Sequence, residues 1–149
     1  MSSKDEAVSI FIKEIGEAEE NDDYSEINRK SIENRLGWYE EHKDTLSLSG
    51  SDVRKGYTLI MLEFMQLDPE EAKVVYEDEK KIIWRSTNWC PILEACKQTG
   101  YDTRKVCKRG EEESVQRLIE NINPNFRYTR DYDRIRPYTP YCEEIIYLQ

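Results

Sequence analysis

The feature that most constrains this fold is a change of hydrophobic period near Asp68. Before it, apolar residues recur at helical spacing, and the clearest stripe consists of Val53, Tyr57, Ile60, Met61, Phe64 and Leu67. After it, β-prone clusters at 74–76 and 82–84 favour a hairpin across the charged segment 77–81. A continuous helix that starts at Pro69 is the competing interpretation. The chain therefore begins with helices and then changes to another kind of structure.

Spacing, capping residues and helix breakers predict the remaining elements. Two helices precede the clear stripe, from Asp5 to about Glu20 and from about Ser25 to Asp44. Three helices follow the hairpin, at Pro91 to Thr99, at Asp102 to Gly110 and from Glu111 to the break at Asn123. Two strands then close the chain, at Phe126 to about Asp133 and at Tyr141 to Leu148.

This order of helices, a hairpin, further helices and a second hairpin predicts an α+β fold class. We expect N-terminal helices packed with an antiparallel sheet of about four strands, and cysteine-bearing helices between the two hairpins. We also expect a single domain over residues 1–149, with a helical front at 1–67 and an α+β part at 68–149. The elements do not alternate as βαβ, and the sequence has neither a phosphate-binding glycine loop nor a dinucleotide fingerprint. A parallel nucleotide-binding sheet is therefore disfavoured.

The charge is acidic and unevenly distributed. The formal net charge is -9, and residues 1–50 hold 13 acidic against 6 basic side chains. An acidic chain disfavours nucleic acid and anionic lipid as partners. No apolar run approaches the roughly 18–20 residues that cross a bilayer, and the charged start of the chain lacks the apolar region of a secretion signal. We therefore expect a cytoplasmic protein that does not act at a membrane.

All four cysteines, Cys90, Cys96, Cys107 and Cys142, fall in the second half of the chain. Thiols stay reduced in the cytoplasm, so the cysteines are packing residues, metal ligands or reactive groups before they are disulfides. None has the two-residue spacing of a zinc knuckle or of a thioredoxin-type pair. A metal site that uses all four, with zinc or iron as the ion, stays open. The alternative is that the cysteines, above all Cys96 and Cys107, are buried packing residues.

Cys90 is the strongest candidate for chemistry because it directly precedes Pro91 at the start of a predicted helix. Backbone N–H groups and the helix dipole lower the pKa of a thiol in that position, which makes it a nucleophile or a ligand. Glu94 and Glu143 are the candidate general bases. His42, the only histidine, lies in a charged helical segment. A Ser-His-Asp triad or a histidine-based zinc site is therefore disfavoured.

The segment 127–138 mixes arginine with aromatic and acidic residues. Cross-strand pairing of Arg with Asp explains such a pattern best, binding of a small anion by a forked guanidinium ranks second, and nucleic-acid binding third. The candidate ligand-binding residues are Arg85, Arg104, Arg127 and Tyr141. The expected ligand is a small anionic molecule.

A resemblance to a known family rests on residues 88–143. The chain carries Asn88-Trp89-Cys90-Pro91-Ile92-Leu93-Glu94, then Gly100, Cys107, Pro124 and Arg127, and then Tyr141-Cys142-Glu143. This order resembles the L-2-amino-thiazoline-4-carboxylic acid hydrolase-like family and, more distantly, small ligand-binding domains of the 4-vinyl reductase type. The resemblance implies a hydrolase that opens a cyclic, cysteine-derived amidine, with Cys90, Cys107 and Cys142 as site residues. One departure is that a basic segment follows Cys107, where the family has an acidic residue.

Three hypotheses of function result. The first is a small-ligand-binding protein whose cysteine-lined pocket acts as a hydrolase on a C–N bond of a cyclic amidine or a similar small anion. The second is a noncatalytic sensor or accessory module that binds a metal or a ligand through the four cysteines. The third is a partner-binding protein that makes contact through its acidic residues 1–50. A homo-oligomer is compatible with each hypothesis.

Overall fold

Six helices and four strands build the protein, which a computed structural model describes over residues 2–149. The helices are α1 (Ser3–Asn21), α2 (Ser25–His42), α3 (Asp52–Tyr57), α4 (Pro91–Thr99), α5 (Thr103–Gly110) and α6 (Glu112–Ile119). Helix α3 continues as a π-helical segment at Thr58–Phe64, and short 3-10 helices lie at Lys43–Thr45 and Pro69–Glu71. Within residues 2–149, no helix combines the length and the apolar composition that spanning a membrane requires.

The helix ends follow the local sequence. The Ser2 hydroxyl accepts a hydrogen bond from the Asp5 N–H at 3.1 Å, and the Asp5 carboxylate accepts one from the Ser2 N–H at 3.3 Å, so a capping box opens α1. Asp102 caps α5 by accepting from the Arg104 N–H at 2.9 Å. Gly100 ends α4 in the left-handed conformation, with φ 85°. The ends of α4 and the end of α5 coincide with the predicted ones.

The strands are β1 (Ala72–Glu77), β2 (Lys81–Ser86), β3 (Phe126–Asp131) and β4 (Cys142–Leu148). They form an antiparallel sheet in the order β1-β2-β4-β3. The predicted first hairpin is confirmed. The alternative of a continuous helix is wrong because Pro69 begins only a 3-10 turn, after which the chain extends. The predicted α+β class, with N-terminal helices packed against a four-stranded antiparallel sheet, is confirmed.

Alternation along the strands gives the sheet two different faces. The inner face, which packs against α3 and α6, consists of Ile82, Trp84, Ser86, Phe126, Tyr128, Arg130, Cys142, Glu144 and Ile146. The outer face carries Ile83, Arg85, Arg127, Glu143 and Ile145. Glu144 is paired in register with Arg130 on one side and with Trp84 on the other. The register therefore places an arginine and a carboxylate next to each other on the buried side of the sheet.

Two hydrophobic clusters form the core. The sheet cluster lies between the inner face and the helices α3 and α6, and its largest buried side chains are Trp84, Tyr57 and Phe126. The helix cluster lies among α1, α2, α4 and α5, and it contains Val8, Ile15, Ala18, Tyr24, Ile27, Ile92, Ala95, Cys96, Val106, Cys107, Ile135 and Cys142. Helix α2 contributes to both, because Ile27 belongs to the helix cluster while Trp38 packs against the sheet cluster. The two clusters meet at α2, and the cavity described below lies there.

Candidate ligand-binding site

A cavity of about 410 Å³ lies where the two clusters meet. Its wall is formed by α1, α2, the end of the π-helical segment, the start of α4, α5 and β3, and its large apolar side chains are Ile10, Phe11, Ile27, Phe64, Met65 and Ile92. Small-molecule sites have volumes of roughly 300–1,000 Å³ and mostly apolar walls with a few polar groups. The cavity therefore has the size and the lining of a binding site for a small organic molecule.

A narrower space of about 50 Å³ continues from this cavity toward the sheet. Arg35, Met65, Cys90 and Arg130 line both spaces, and the inner one reaches Glu144 on β4. The guanidinium groups, the thiol and the carboxylate therefore meet at the sheet side of the cavity. This polar end is the candidate functional site.

Arg130 is the least satisfied charged group of this polar end. It lies on the inner face of β3 with 17% of its side chain exposed, and its guanidinium is 3.6 Å from the Glu144 carboxylate, which is beyond hydrogen-bond distance. Its Nε atom has no hydrogen-bond partner among residues 2–149. Since arginine stays charged in proteins, the cavity wall holds a positive charge with unused donors.

Arg35 on α2 adds a second guanidinium to the same wall. Its Nη1 atom lies 2.9 Å from both Glu111 and Ser114 and 2.7 Å from Ser31. The Ser31 hydroxyl also donates to Glu111, so this network joins α2 to the start of α6 and fixes the guanidinium in place. The Nε atom of Arg35, like that of Arg130, finds no acceptor within the described part of the chain.

Glu144 already has its own hydrogen bonds. It accepts from the Trp84 indole at 3.0 Å, from the Ser86 hydroxyl at 2.9 Å and from the Tyr128 hydroxyl at 2.6 Å. Burial, with the carboxylate as a further cause, raises the pKa of Tyr128 well above its ordinary value, so this hydroxyl stays protonated and keeps donating. Because these three donors satisfy the carboxylate, Arg130 remains available to another acceptor.

Cys90 lies at the start of α4, where the two spaces join. Burial raises the pKa of its thiol, and the Leu93 N–H and the Arg130 charge are the strongest opposing influences. The predicted place at a helix N-terminus is confirmed. The predicted net lowering of its pKa is wrong, because desolvation outweighs the backbone N–H groups and the nearby charges. The thiol is therefore protonated at neutral pH.

All four cysteines are free thiols. Cys96 and Cys107 are buried in the helix cluster, in agreement with the packing role, and burial raises the pKa of Cys96 to about 12 and that of Cys107 as well. The Cys142 sulfur accepts a hydrogen bond from Nε of Arg136 at 3.3 Å. Within residues 2–149, no three His, Cys, Asp or Glu side chains are arranged to hold a metal ion. The metal site of Cys90, Cys96, Cys107 and Cys142 therefore stays a prediction.

The two predicted general bases lie outside the cavity. Glu94 pairs with Lys97 along α4 at 3.3 Å. Glu143 is on the outer face of the sheet, where Arg85 donates to it at 3.0 Å. Since neither carboxylate lines the cavity, the structure does not bring either of them together with Cys90 there.

The four predicted ligand-binding residues also lie elsewhere. The Arg85 guanidinium stacks on Tyr141, with 4.3 Å between its carbon and the ring centroid. Arg104 pairs with Asp102 at the start of α5, at 3.0 Å. Arg127 donates to a backbone carbonyl of its own strand. Contacts within the protein account for these side chains, but Arg127 contacts a backbone carbonyl and not the cross-strand Asp of the interpretation ranked first for the arginine-rich tail.

Sequence reasoning misses the residues that do form the polar end, namely Arg35, Glu111, Arg130 and Glu144. The strand residues carry a usable signal, because alternation puts Arg130 on the face of Tyr128 and Glu144 on the face of Ile146. No local sequence pattern identifies Arg35 or Glu111, since the contact between them depends on how α2 packs against α6.

Comparison with known proteins adds no relative. No family model, no curated protein and no solved structure matches the chain. The resemblance to the L-2-amino-thiazoline-4-carboxylic acid hydrolase-like family therefore stays a prediction from residues 88–143, and function has to be inferred from the geometry of the cavity.

Proposed function

We propose that the cavity binds a small organic anion through a carboxylate that Arg130 and Arg35 hold. The observation that carries this proposal is that both arginines line one cavity while the Arg130 side chain donates no hydrogen bond among residues 2–149 and only approaches Glu144 at 3.6 Å. A buried donor without a partner costs about 1–3 kcal/mol, and more when it belongs to a charged group. A carboxylate can satisfy donors of both groups, because guanidinium groups bind carboxylates through short, charge-assisted hydrogen bonds.

The charges around the cavity favour a ligand with one negative charge. Two ion pairs in the wall, Lys30–Glu14 at 2.8 Å and Arg35–Glu111 at 2.9 Å, balance their own charges. Arg130 faces Glu144 at 3.6 Å, while Arg136, which lines the inner space, donates to the Asn88 carbonyl and the Cys142 sulfur and has no carboxylate partner among residues 2–149, so the lining holds one positive charge in excess. One carboxylate on the ligand balances this charge. A nucleic acid strand would instead meet a chain of net charge -9.

Titration calorimetry with benzoate and its neutral analogue benzamide tests the proposal. We expect benzoate to bind at least tenfold more tightly, because a hydrogen bond to a charged group contributes about 1.5–3 kcal/mol. Arg130→Gln should weaken benzoate binding by a similar factor. The matched control is Arg127→Gln on the outer face of the same strand, which should leave binding unchanged. Equal affinity for the two ligands, or full binding by Arg130→Gln, would refute the proposal.

A second candidate function is C–N ring-opening hydrolysis, which the position of Cys90 favours. Its thiol lines the cavity beside Arg130 and lies at the N-terminus of α4. In such a reaction the sulfur would add to the amidine carbon, the C–N bond would break with transfer of a proton to the leaving nitrogen, and water would release the product from sulfur. Glu14 and Glu111 are the carboxylates that line the same cavity, and one of them would accept the thiol proton.

Replacement of Cys90 separates catalysis from binding. If the protein is a hydrolase, Cys90→Ser should abolish turnover of a cyclic amidine carboxylate while benzoate binding persists. Cys96→Ser, which changes a thiol in the helix cluster outside the cavity wall, is the control. Turnover that survives in Cys90→Ser would exclude Cys90 as the nucleophile. If the parent protein binds benzoate but turns over no cyclic amidine, the noncatalytic ligand-binding module is the function that remains.

We also infer a cytoplasmic location. Four free thiols persist in a reducing compartment, whereas oxidising compartments favour disulfides. Localisation of a tagged full-length chain by cell fractionation checks this inference.

A further inference from the structure

We propose that the anion is an amphipathic monocarboxylate whose carboxylate lies at Arg130 and Arg35 and whose extended apolar body runs toward Ile10. This inference rests on the proposed function and names the class of ligand. Three observations support it: the volume of the cavity, the several elements that contribute its apolar side chains, and an exposed apolar side chain at its opening.

The cavity is larger than an anionic headgroup requires. A carboxylate between two guanidinium groups occupies one end of a space of about 410 Å³. The single small ring of a cyclic amidine would leave most of the remaining volume to water, and water gains few hydrogen bonds next to apolar walls. A ligand with a longer apolar body fills that volume and removes apolar surface from water.

The apolar side chains of the lining come from several elements of the fold. Phe11 comes from α1, Ile27 from α2 and Ile92 from α4, while Phe64 ends the π-helical segment. Four separate elements therefore contribute large side chains. An aliphatic chain or an aryl group that packs against these side chains removes apolar surface from water, which is the main source of affinity for an apolar ligand.

The opening of the cavity is apolar as well. Ile10 is 56% exposed, and it lines the cavity but not the inner space at the polar end. Large exposed apolar side chains beside a cavity are typical of a ligand-binding groove. The charged groups of α1 and α2 in the wall, Glu14 and Lys30, pair with each other at 2.8 Å and do not call for a second anionic group on the ligand. A ligand with one charged end and one apolar end fits this arrangement.

Calorimetric titration of the full chain with hexanoate, octanoate and decanoate tests the inference. Burial of one methylene contributes about 0.8 kcal/mol, so we expect the affinity to rise roughly three- to fourfold for each added carbon. Decanoate should then bind roughly a hundredfold more tightly than hexanoate. Arg130→Gln should weaken all three acids by a similar factor, because it removes the contact to the shared carboxylate.

A variant at the opening locates the apolar body. Ile10→Ser should weaken decanoate binding roughly five- to tenfold and hexanoate binding less than twofold, because only the longer chain reaches the opening. Val75→Ser is the matched control, since Val75 is 49% exposed on β1 and does not line the cavity. It should change neither affinity.

The possible outcomes separate the two proposals. If hexanoate and decanoate bind with equal affinity and Arg130→Gln weakens both, the proposal of an amphipathic ligand is overturned while the proposal of carboxylate binding stands. Decanol that binds as tightly as decanoate would overturn the role of the guanidinium groups and therefore both proposals. Failure of all three acids to bind would also overturn both. A rise in affinity with chain length that Arg130→Gln lowers and Ile10→Ser flattens supports both.

Discussion

The two faces of the sheet use the same residue types in different ways. Glu143 and Glu144 are neighbours in the chain, yet β4 directs them to opposite faces. On the outer face, Glu143 is 9% exposed and pairs with two exposed arginines, Arg85 at 3.0 Å and Arg134 at 3.4 Å, whose side chains are 39% and 53% exposed. On the inner face, Glu144 lies 3.6 Å from Arg130, and both side chains are largely buried.

The difference between these two pairs shows how burial changes whether an arginine in an ion pair can complete its hydrogen bonds. The outer arginine can complete its hydrogen bonds with water, so its pairing with a carboxylate adds little. The inner arginine cannot complete its hydrogen bonds with water. Its partner Glu144 already accepts hydrogen bonds from Trp84, Ser86 and Tyr128. A buried charge with unused donors next to a cavity is a site that a ligand can complete. The four predictions below test this contrast, from the largest expected effect to the smallest.

Removal of each glutamate should separate the two faces most strongly. Glu144→Ala leaves three donors without their acceptor and Arg130 without its nearest counter-charge, so we expect the free energy of unfolding to fall by about 3–5 kcal/mol. Glu143→Ala should lower it by about 1 kcal/mol or less, because the arginine partner is well exposed. Urea unfolding followed by circular dichroism measures both values.

Glu144→Gln serves as a second variant in case Glu144→Ala does not fold. The amide of this variant keeps an acceptor for some of the three donors. The decrease in its free energy of unfolding should therefore lie between the decreases of the two alanine variants. A difference of less than 1 kcal/mol between Glu144→Ala and Glu143→Ala would contradict the contrast.

The helix cluster, which reaches the inner face of the sheet through Cys142, buries thiols, and this predicts a loss of stability at alkaline pH. Burial raises the pKa of Cys96 to about 12 and raises that of Cys107. Between the ordinary thiol pKa near 9 and these raised values, the folded state keeps protons that the unfolded state has released, so the free energy of unfolding falls as pH rises. Two thiols contribute roughly 2–3 kcal/mol per pH unit, and below pH 9 they contribute no slope.

Urea midpoints at pH 7.5, 9.0 and 10.5 measure this slope. Cys96→Ala should reduce it by about 1.4 kcal/mol per pH unit, because one raised pKa is removed. Other groups that titrate in this range do so equally in the parent and the variant. Identical slopes in the two proteins would show that the Cys96 thiol ionises as readily in the folded state as in the unfolded state.

The elements of this fold follow from local sequence, while the site does not. The capping signal at Asp102, the left-handed Gly100 and the β-prone cluster before Trp84 each act over a few residues, so the pattern alone predicts them. The π-helical geometry of Thr58–Phe64 has no such signal, because its residues fit the ordinary helical period as well.

The site was harder to predict because its parts are far apart in the chain. Cys90 was found, since its position before Pro91 is a local signal. The tail predicts Arg127 as the ligand-binding residue and not Arg130, although the period of two along β3 puts the two side chains on opposite faces. The contact of Arg35 with Glu111 spans 76 residues and depends on tertiary packing, which no local pattern describes.

The rate of alkylation of Cys90 tests whether charges on the two faces of β3 act differently on this thiol. The Arg130 charge lowers the pKa of Cys90 against the dominant effect of burial, so Arg130→Gln should raise that pKa and leave less thiolate. At pH 7.5 we expect the rate of alkylation by iodoacetamide to fall roughly three- to tenfold. Arg127→Gln, on the outer face, should leave the rate unchanged. Peptide mass spectrometry gives the rate for each cysteine separately, and equal rates in the two variants would mean that the inner charge does not act on the thiol.

The smallest expected effect is the coupling within the outer pair itself. A double-mutant cycle with Arg85→Ala, Glu143→Ala and the double variant should give an interaction energy of about 0.2–1 kcal/mol, because water and salt screen a pair whose arginine is 39% exposed. The energy should fall further in 0.5 M salt, where charges are screened over a few ångströms. Urea unfolding of the four proteins at two salt concentrations measures it. A coupling above 2 kcal/mol that does not respond to salt would mean that the outer face is as dry as the inner one, and the contrast between the two faces would then no longer explain why only Arg130 is left for a ligand.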